Sequence, residues 1–307
     1  MKNALTVAVL GVCLAVPAGP AGGLDRAEAD AGLVAGKPVE IATGFTFTEG
    51  PAADAKGNLY FSDIPNNRIH RWGLDGKLTT FREDSSGTNG LFFDKNGSLL
   101  ACEGGRGRVV SIDMKGKVTV LADTFNGKRF NKPNDLWPDP KGGIYFTDPV
   151  YGRRWPKPQG GEHVYYLKPD RKTVIRVIED MVRPNGIIGT PDGKTLYVTD
   201  HGGKKTFRYT IKPDGTLTGK NLLASVGSDG MTIDERGNIY LTEAAVLVYS
   251  PGGKQIARIA VPKRPANVCF GGKDRRTLFV TARKSVYAIR MRVRGAADPV
   301  IRRIERD

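Results

Sequence analysis

At 307 residues, with 39% hydrophobic and 8% aromatic content, the chain has enough apolar material for a packed core, which excludes global disorder. Its 39 glycines and 19 prolines demand many turns, and helical periodicity is nearly absent, so one large all-β domain fits the length. The net charge of +15 comes from Lys and Arg scattered along turns and outer strands, with a mild cluster at the C-terminal end; it lacks the contiguous basic stripe and aromatic platforms of a nucleic-acid binder.

In chain order, Lys2 and the apolar run "ALTVAVLGVCLAVPA" (4–18) come first. The run is shorter than the roughly 20 apolar residues that span a bilayer. Small residues follow it, so 1–21 reads as a cleaved signal peptide and predicts a secreted or periplasmic protein. Cys13 sits behind Val12, where a lipid anchor would need a small residue, and reads as an ordinary cysteine of the apolar run. No other segment is long enough to cross a membrane as a helix. Residues 22–36 read as a flexible leader. "PVEIATGF" (38–45) then reads as a lone strand without a local partner.

Six similar segments follow: "EGPAADAKGNLYFSD", "NGLFFDKNGSLLACE", "NDLWPDPKGGIYFTD", "NGIIGTPDGKTLYVTD", "DGMTIDERGNIYLTE" and "NVCFGGKDRRTLFVTA". They begin at Glu49, Asn89, Asn134, Asn185, Asp229 and Asn267, with spacings of 40, 45, 51, 44 and 38 residues. Each reads as a strand, a tight Gly-containing hairpin, a second strand and two weaker strands. Four strands at this period define a β-propeller blade, and six repeats predict a six-bladed propeller over 37–295. The last repeat lacks its fourth strand, so the N-terminal strand is expected to complete it and close the ring, removing open edges. Residues 296–307 form a basic tail. Cys102 and Cys269 lie on different repeats within apolar runs and are expected to be two free thiols.

The long connections "REDSSGT" (82–88), "DTFNGKRFNKP" (123–133) and "PVYGRRWPKPQGGE" (149–162) all fall on the face where the first strands start. Length concentrated on one face marks the functional face. Six first-strand residues converge there: Glu49, Asn89, Asn134, Asn185, Asp229 and Asn267. Singly, Asn or Asp before Gly is turn chemistry. Together, six side-chain oxygens in one phase form a donor set for a hard cation, and no His or Cys stands among them for a usual zinc site. The second strands add Asp63, Glu103, Asp148, Asp200 and Glu243 near the same face. Of three histidines, His201 alone is placed there, with a structural hydrogen bond its plainer role. Tyr151, Arg153, Arg154 and Trp155 are placed to roof the site or simply to form a basic surface loop. The chain has no GxSxG elbow, HExxH or phosphate-binding loop.

"FTEGPAADAKGNLYFSDIPNNRIHRW", "KPNDL", "RPNGI" and "GSDGM" resemble the senescence-marker-protein/gluconolactonase/luciferin-regenerating-enzyme family over about residues 40–290. The resemblance implies one divalent metal at the channel mouth, held by Glu49, Asn185 and Asp229. It implies that Asn134 contacts substrate or a ligated water. The family arginine two residues before that asparagine is Lys132 here, with Arg129 nearby. The implied activity is metal-dependent opening of a sugar lactone to its aldonic acid. Asp229 is the first choice for a base and Asp148 the second. Asn134, Lys132, Asn89, Arg129, Asp148, His201 and Tyr151 are the expected substrate contacts. Ca²⁺ is the expected ion, with Mg²⁺, Mn²⁺ or Zn²⁺ as alternatives, and a monomer or weak dimer is expected. Two other classes stay open: a phosphotriesterase- or arylesterase-like propeller hydrolase, and a non-catalytic carbohydrate-binding propeller.

Overall fold

In the computed structural model, residues 32–151 and 157–296 are described. The proposed signal peptide, the tail beyond Ala296 and the loop residues Arg153, Arg154 and Trp155 lie outside them. The described residues hold no helix. They form six four-stranded antiparallel sheets and one small hairpin. Blade one runs through Thr48–Ala53, Leu59–Asp63, Arg68–Trp72 and Leu78–Arg82, and the next four repeat this order. Blade six joins Asn267–Gly271, Thr277–Ala282 and Ser285–Arg290 to the N-terminal strand Val39–Thr43, so the ring closes as expected. Val39 pairs with Ala288 and Thr43 with Ser285.

The second strands LYFSD, LLACE and IYFTD are buried at every position. A blade is packed between two neighbours, so both faces of its inner strands are dry, and an unbroken apolar run replaces alternation. The outer strand LTTFR, by contrast, is mostly exposed. Apolar cores fill the seams between blades. Trp137, Tyr145 and Tyr166 meet Ile187 and Leu196 at one seam, and Leu59 and Phe61 meet Phe279 and Val286 at another. Each such large side chain contributes roughly 1.5–3 kcal/mol on burial.

The leader boundary needs correcting. Leu33 is buried with Met291 and Val293 of the chain following blade six, and Val34 bridges to Met291. Residues 32–36 are therefore held to the propeller, because an apolar Leu-Val pair covers that edge. Cys102 and Cys269 are both thiols, not joined by a disulfide.

Candidate active site

The ring residues are aimed by local breaks in pairing. In blades one, two and four the register between first and second strands shifts at Glu49/Ala52, Thr88/Leu91 and Pro184/Ile187. Such bulges turn a side chain away from the pleat. In blades three and five the first strand starts only at Leu136 and Met231, two residues beyond Asn134 and Asp229. The regular ladder is thus interrupted beside the polar residue in either case. Close approach of neighbouring blades leaves room only for glycine at the next position in blades one and five. A Cβ on Gly230 would lie 2.0 Å from Asn267 Cγ, and one on Gly50 would lie 2.0 Å from the Asn89 carbonyl oxygen.

Glu49, Asn89, Asn134 and Asp229 line a cavity of about 460 Å³ at the mouth, with Lys132 and Tyr151 on its wall. A second cavity of about 270 Å³ adjoins it through Asp229 and Phe47, and is lined also by His201, Arg264 and Arg283. Asn185 is 1% exposed and sits behind them. Its Nδ2 donates to Asp229 Oδ1 at 2.7 Å and to the Tyr151 hydroxyl oxygen at 2.5 Å. That hydroxyl lies 3.0 Å from His201 Nδ1, and the Arg183 guanidinium stacks over the Tyr151 ring. With both amide hydrogens spent, Asn185 has its carbonyl oxygen left as a donor atom. Glu49 is 2% exposed and accepts the Gly50 N–H through Oε2.

Neither Glu49 nor Asp229 forms an ion pair with a described residue. Burial, and then the neighbouring Asp229, push the Glu49 carboxyl well above the usual range. Burial also raises Asp229, against the pull of His201, the Asn185 amide and the more distant Arg264 and Arg283. Two carboxylates facing one mouth, neither in an ion pair with a described residue, are groups that a cation could bind.

Two of the sequence-predicted residues stand elsewhere. Asp148 is fully buried and accepts the N–H groups of Asn131 and Lys132, each at 2.8 Å. It anchors that loop and is absent from the lining of the mouth. Arg129 lies on the hairpin formed by Thr124–Phe125 and Lys128–Arg129, packed against Gly107, and does not line the mouth either. Asn267, sixth of the ring, is absent from the lining of the mouth and borders a small cavity with Asp135 and Thr232; its Oδ1 accepts the Val268 N–H at 2.8 Å. Tyr151, Lys132, Asn89 and Asn134 line the first cavity and His201 the second. Sequence reasoning missed Arg264, Arg283 and the buried Asp135. For Asp135 there was a signal: it stands where four of the six repeats carry Gly.

These features define a closed propeller with an acidic, amide-lined pocket at one mouth. The sequence profile of the SMP-30/Gluconolactonase/LRE-like region matches residues 47–284, and the chain belongs to that family. It is 31% identical to a gluconolactonase of Zymomonas mobilis over 87% of this chain and 85% of that one. It is 28% identical to Lactonase drp35 of Staphylococcus haemolyticus over 70% of each chain. Among solved structures it resembles a gluconolactonase from Xanthomonas campestris with a TM-score of 0.81 and 29% identity, covering 91% of this chain and 100% of that one.

Proposed function

We propose that the protein is a lactonase that opens a sugar lactone to its aldonic acid, with a divalent cation held by Glu49, Asn185 and Asp229. The observation that carries this reading is the pair of carboxylates, Glu49 buried and Asp229 half-buried, without an ion-pair partner among the described residues, in the lining of the mouth cavity. The relatives named for gluconolactone and lactone hydrolysis support the substrate class. The donors are carboxylate and amide oxygens, which suit Ca²⁺, Mg²⁺ or Mn²⁺ better than zinc. A bound cation would supply Lewis-acid polarisation of the lactone carbonyl.

The chain's own residues then divide the work. Asp229, held through Oδ1 by Asn185, takes the proton of the attacking water. Water oxygen bonds the acyl carbon, the ring C–O bond breaks, and that proton is returned to the departing ring oxygen. Asn134 makes no side-chain hydrogen bond to a described residue, so its amide is available to orient water or a substrate hydroxyl. Lys132, whose ammonium is driven below its ordinary range by burial, stands on the cavity wall beside it. Asn89 faces the same space.

A pH-stat assay of purified protein against sugar lactones, aryl esters and phosphotriesters tests the reading. Acid release is expected with lactones, to be lost after chelator treatment and restored by Ca²⁺, Mg²⁺ or Mn²⁺. Undiminished hydrolysis by metal-free protein would overturn the cation assignment. Turnover of phosphotriesters alone would overturn the substrate class.

A further inference from the structure

Tyr151 belongs to blade three, yet its hydroxyl meets the ring residue of blade four. It follows the second strand Ile144–Asp148, at the start of the long connection to His163–Leu167. The buried Glu162 fixes this connection near both its ends. Its Oε2 accepts the Val150 N–H at 3.0 Å and the Arg183 Nε–H at 3.2 Å, and its Oε1 accepts from Lys157 Nζ at 2.7 Å. The same Arg183 lays its guanidinium carbon 5.1 Å from the centre of the Tyr151 ring. Since Arg183 stands just before Pro184 and Asn185, one side chain joins the connection of blade three to the strand entry of blade four.

The hydrogen bonds at this junction run in one direction. An ionised Asp229 can only accept, so the Asn185 atom 2.7 Å from its Oδ1 must be Nδ2. The second Nδ2 hydrogen goes to the Tyr151 oxygen at 2.5 Å. That oxygen, already receiving a hydrogen, passes its own to His201 Nδ1 at 3.0 Å. His201 is thereby the tautomer with its proton on Nε2. Asn185 Oδ1 is the one end of the amide that none of these bonds engages. Reversing the amide would set that oxygen against a carboxylate and against a hydroxyl whose proton is already given away.

We propose that Tyr151 is a positioning residue of the cation site: its hydroxyl, committed as an acceptor by His201, locks the Asn185 amide with Oδ1 turned to the ion. The inference rests on the reading of the mouth as a cation site. It differs from a substrate contact, because Tyr151 acts through Asn185 and not on the lactone. Partners that orient a metal ligand commonly matter about 10- to 100-fold in affinity. Tyr151→Phe keeps the ring against Arg183 and removes only the acceptor. One N–H of a buried amide then lacks a partner, and the amide is free to turn its amino end toward the ion, which that end repels.

The test uses chelator-treated wild type, Tyr151→Phe, His201→Ala and the double variant, titrated with Ca²⁺ by calorimetry and melted without the ion. Tyr151→Phe is expected to weaken Ca²⁺ binding on the order of 10- to 100-fold. His201→Ala lets the tyrosine proton turn back on the amide and should weaken binding by less. The double variant should be no worse than Tyr151→Phe, as for residues acting in series. In ¹⁵N spectra of histidine-labelled wild type at about pH 8, above the ordinary histidine range, His201 should be the Nε2–H tautomer. An Nδ1–H tautomer would reverse the chain of bonds and overturn the proposal. So would a Tyr151→Phe affinity within about twofold of wild type. If KM for the lactone rises at saturating Ca²⁺ while Ca²⁺ affinity holds, Tyr151 is a substrate contact and the proposal falls. A lowered metal-free Tm with unchanged affinity would reduce Tyr151 to a packing group, with the same result. Additive losses in the double variant would overturn the role given to His201. Wild type showing no Ca²⁺-dependent heat would overturn the cation site itself, and this proposal with it.

Discussion

Asp229 Oδ1 accepts from the Asn185 amide and the residue lines both mouth cavities; the proposed mechanism puts both ligation and proton acceptance on this one side chain. Two near-isosteric substitutions separate these roles. Asp229→Asn keeps an oxygen donor but removes a charge and any base function. Turnover at saturating cation is expected to fall on the order of 100-fold or more. Asn185→Asp keeps the donor and adds a charge, so it should mainly change cation affinity and leave measurable turnover. Steady-state rates across a Ca²⁺ titration read both effects. Full rescue of Asp229→Asn by excess cation would make Asp229 a ligand only. The ring was legible in the sequence because six polar residues shared one phase, and a repeat makes phase visible. What each atom faces was not legible. Asn267 shares the phase of Asn185, yet points below the mouth, because the Val268 N–H captures its carbonyl oxygen.

The second-strand acids show the same limit for whole elements. Asp63 receives the Phe47 N–H, Asp148 those of Asn131 and Lys132, and Asp200 those of Val182 and Arg183. In three blades, then, a terminal aspartate clamps the segment that delivers its own blade's ring residue. From sequence, an acid at a strand end near the functional face is equally readable as ligand, base or clamp. The recurrence of Phe-Ser-Asp, Phe-Thr-Asp and Val-Thr-Asp was the available clue, since a reactive group has no reason to recur around a ring. Glu103 meets a different need, pairing with both Arg82 and Arg108. Asp148→Ala should leave two buried N–H groups unsatisfied and destabilise by about 2–4 kcal/mol. Activity should fall as well, because Lys132 and Asn134 ride on the freed loop. Urea unfolding together with KM for the lactone checks this, and wild-type values for both would remove the clamp role.

At the scale of the whole molecule, closure was legible because an orphan N-terminal strand and a three-stranded last repeat complement each other. The ring in turn forces six strand ends together and brings Glu49, Asp135 and Asp229 into mutual repulsion, which makes stability depend on protons and cations jointly. Burial pushes Asp135 up to about 7, and raises Glu49 and Asp229 in the same direction. These acids bind a proton more tightly in the folded chain than in the unfolded one. Their contribution is therefore full below their unfolded values, about pH 4, and is lost as pH rises through the folded ones. His70 and His163, whose buried rings are held below their ordinary range, act oppositely, but that contribution levels off above about pH 7. The surface acids Asp170 and Asp274, lowered to about 2, titrate well below this window. The metal-free Tm should accordingly fall between pH 7 and pH 8.5. A cation replaces the protons at the mouth, so the Tm gain from saturating Ca²⁺ should grow steadily from pH 6 to pH 8.5. Asp148 is raised to about 8 by the same cause, but it lies away from the mouth, so its share of the loss should persist with Ca²⁺ present. Scanning calorimetry at four pH values, with and without the ion, measures both trends. A Ca²⁺ gain independent of pH would mean that the carboxylates of the mouth are already ionised without the cation, and that burial does not govern them.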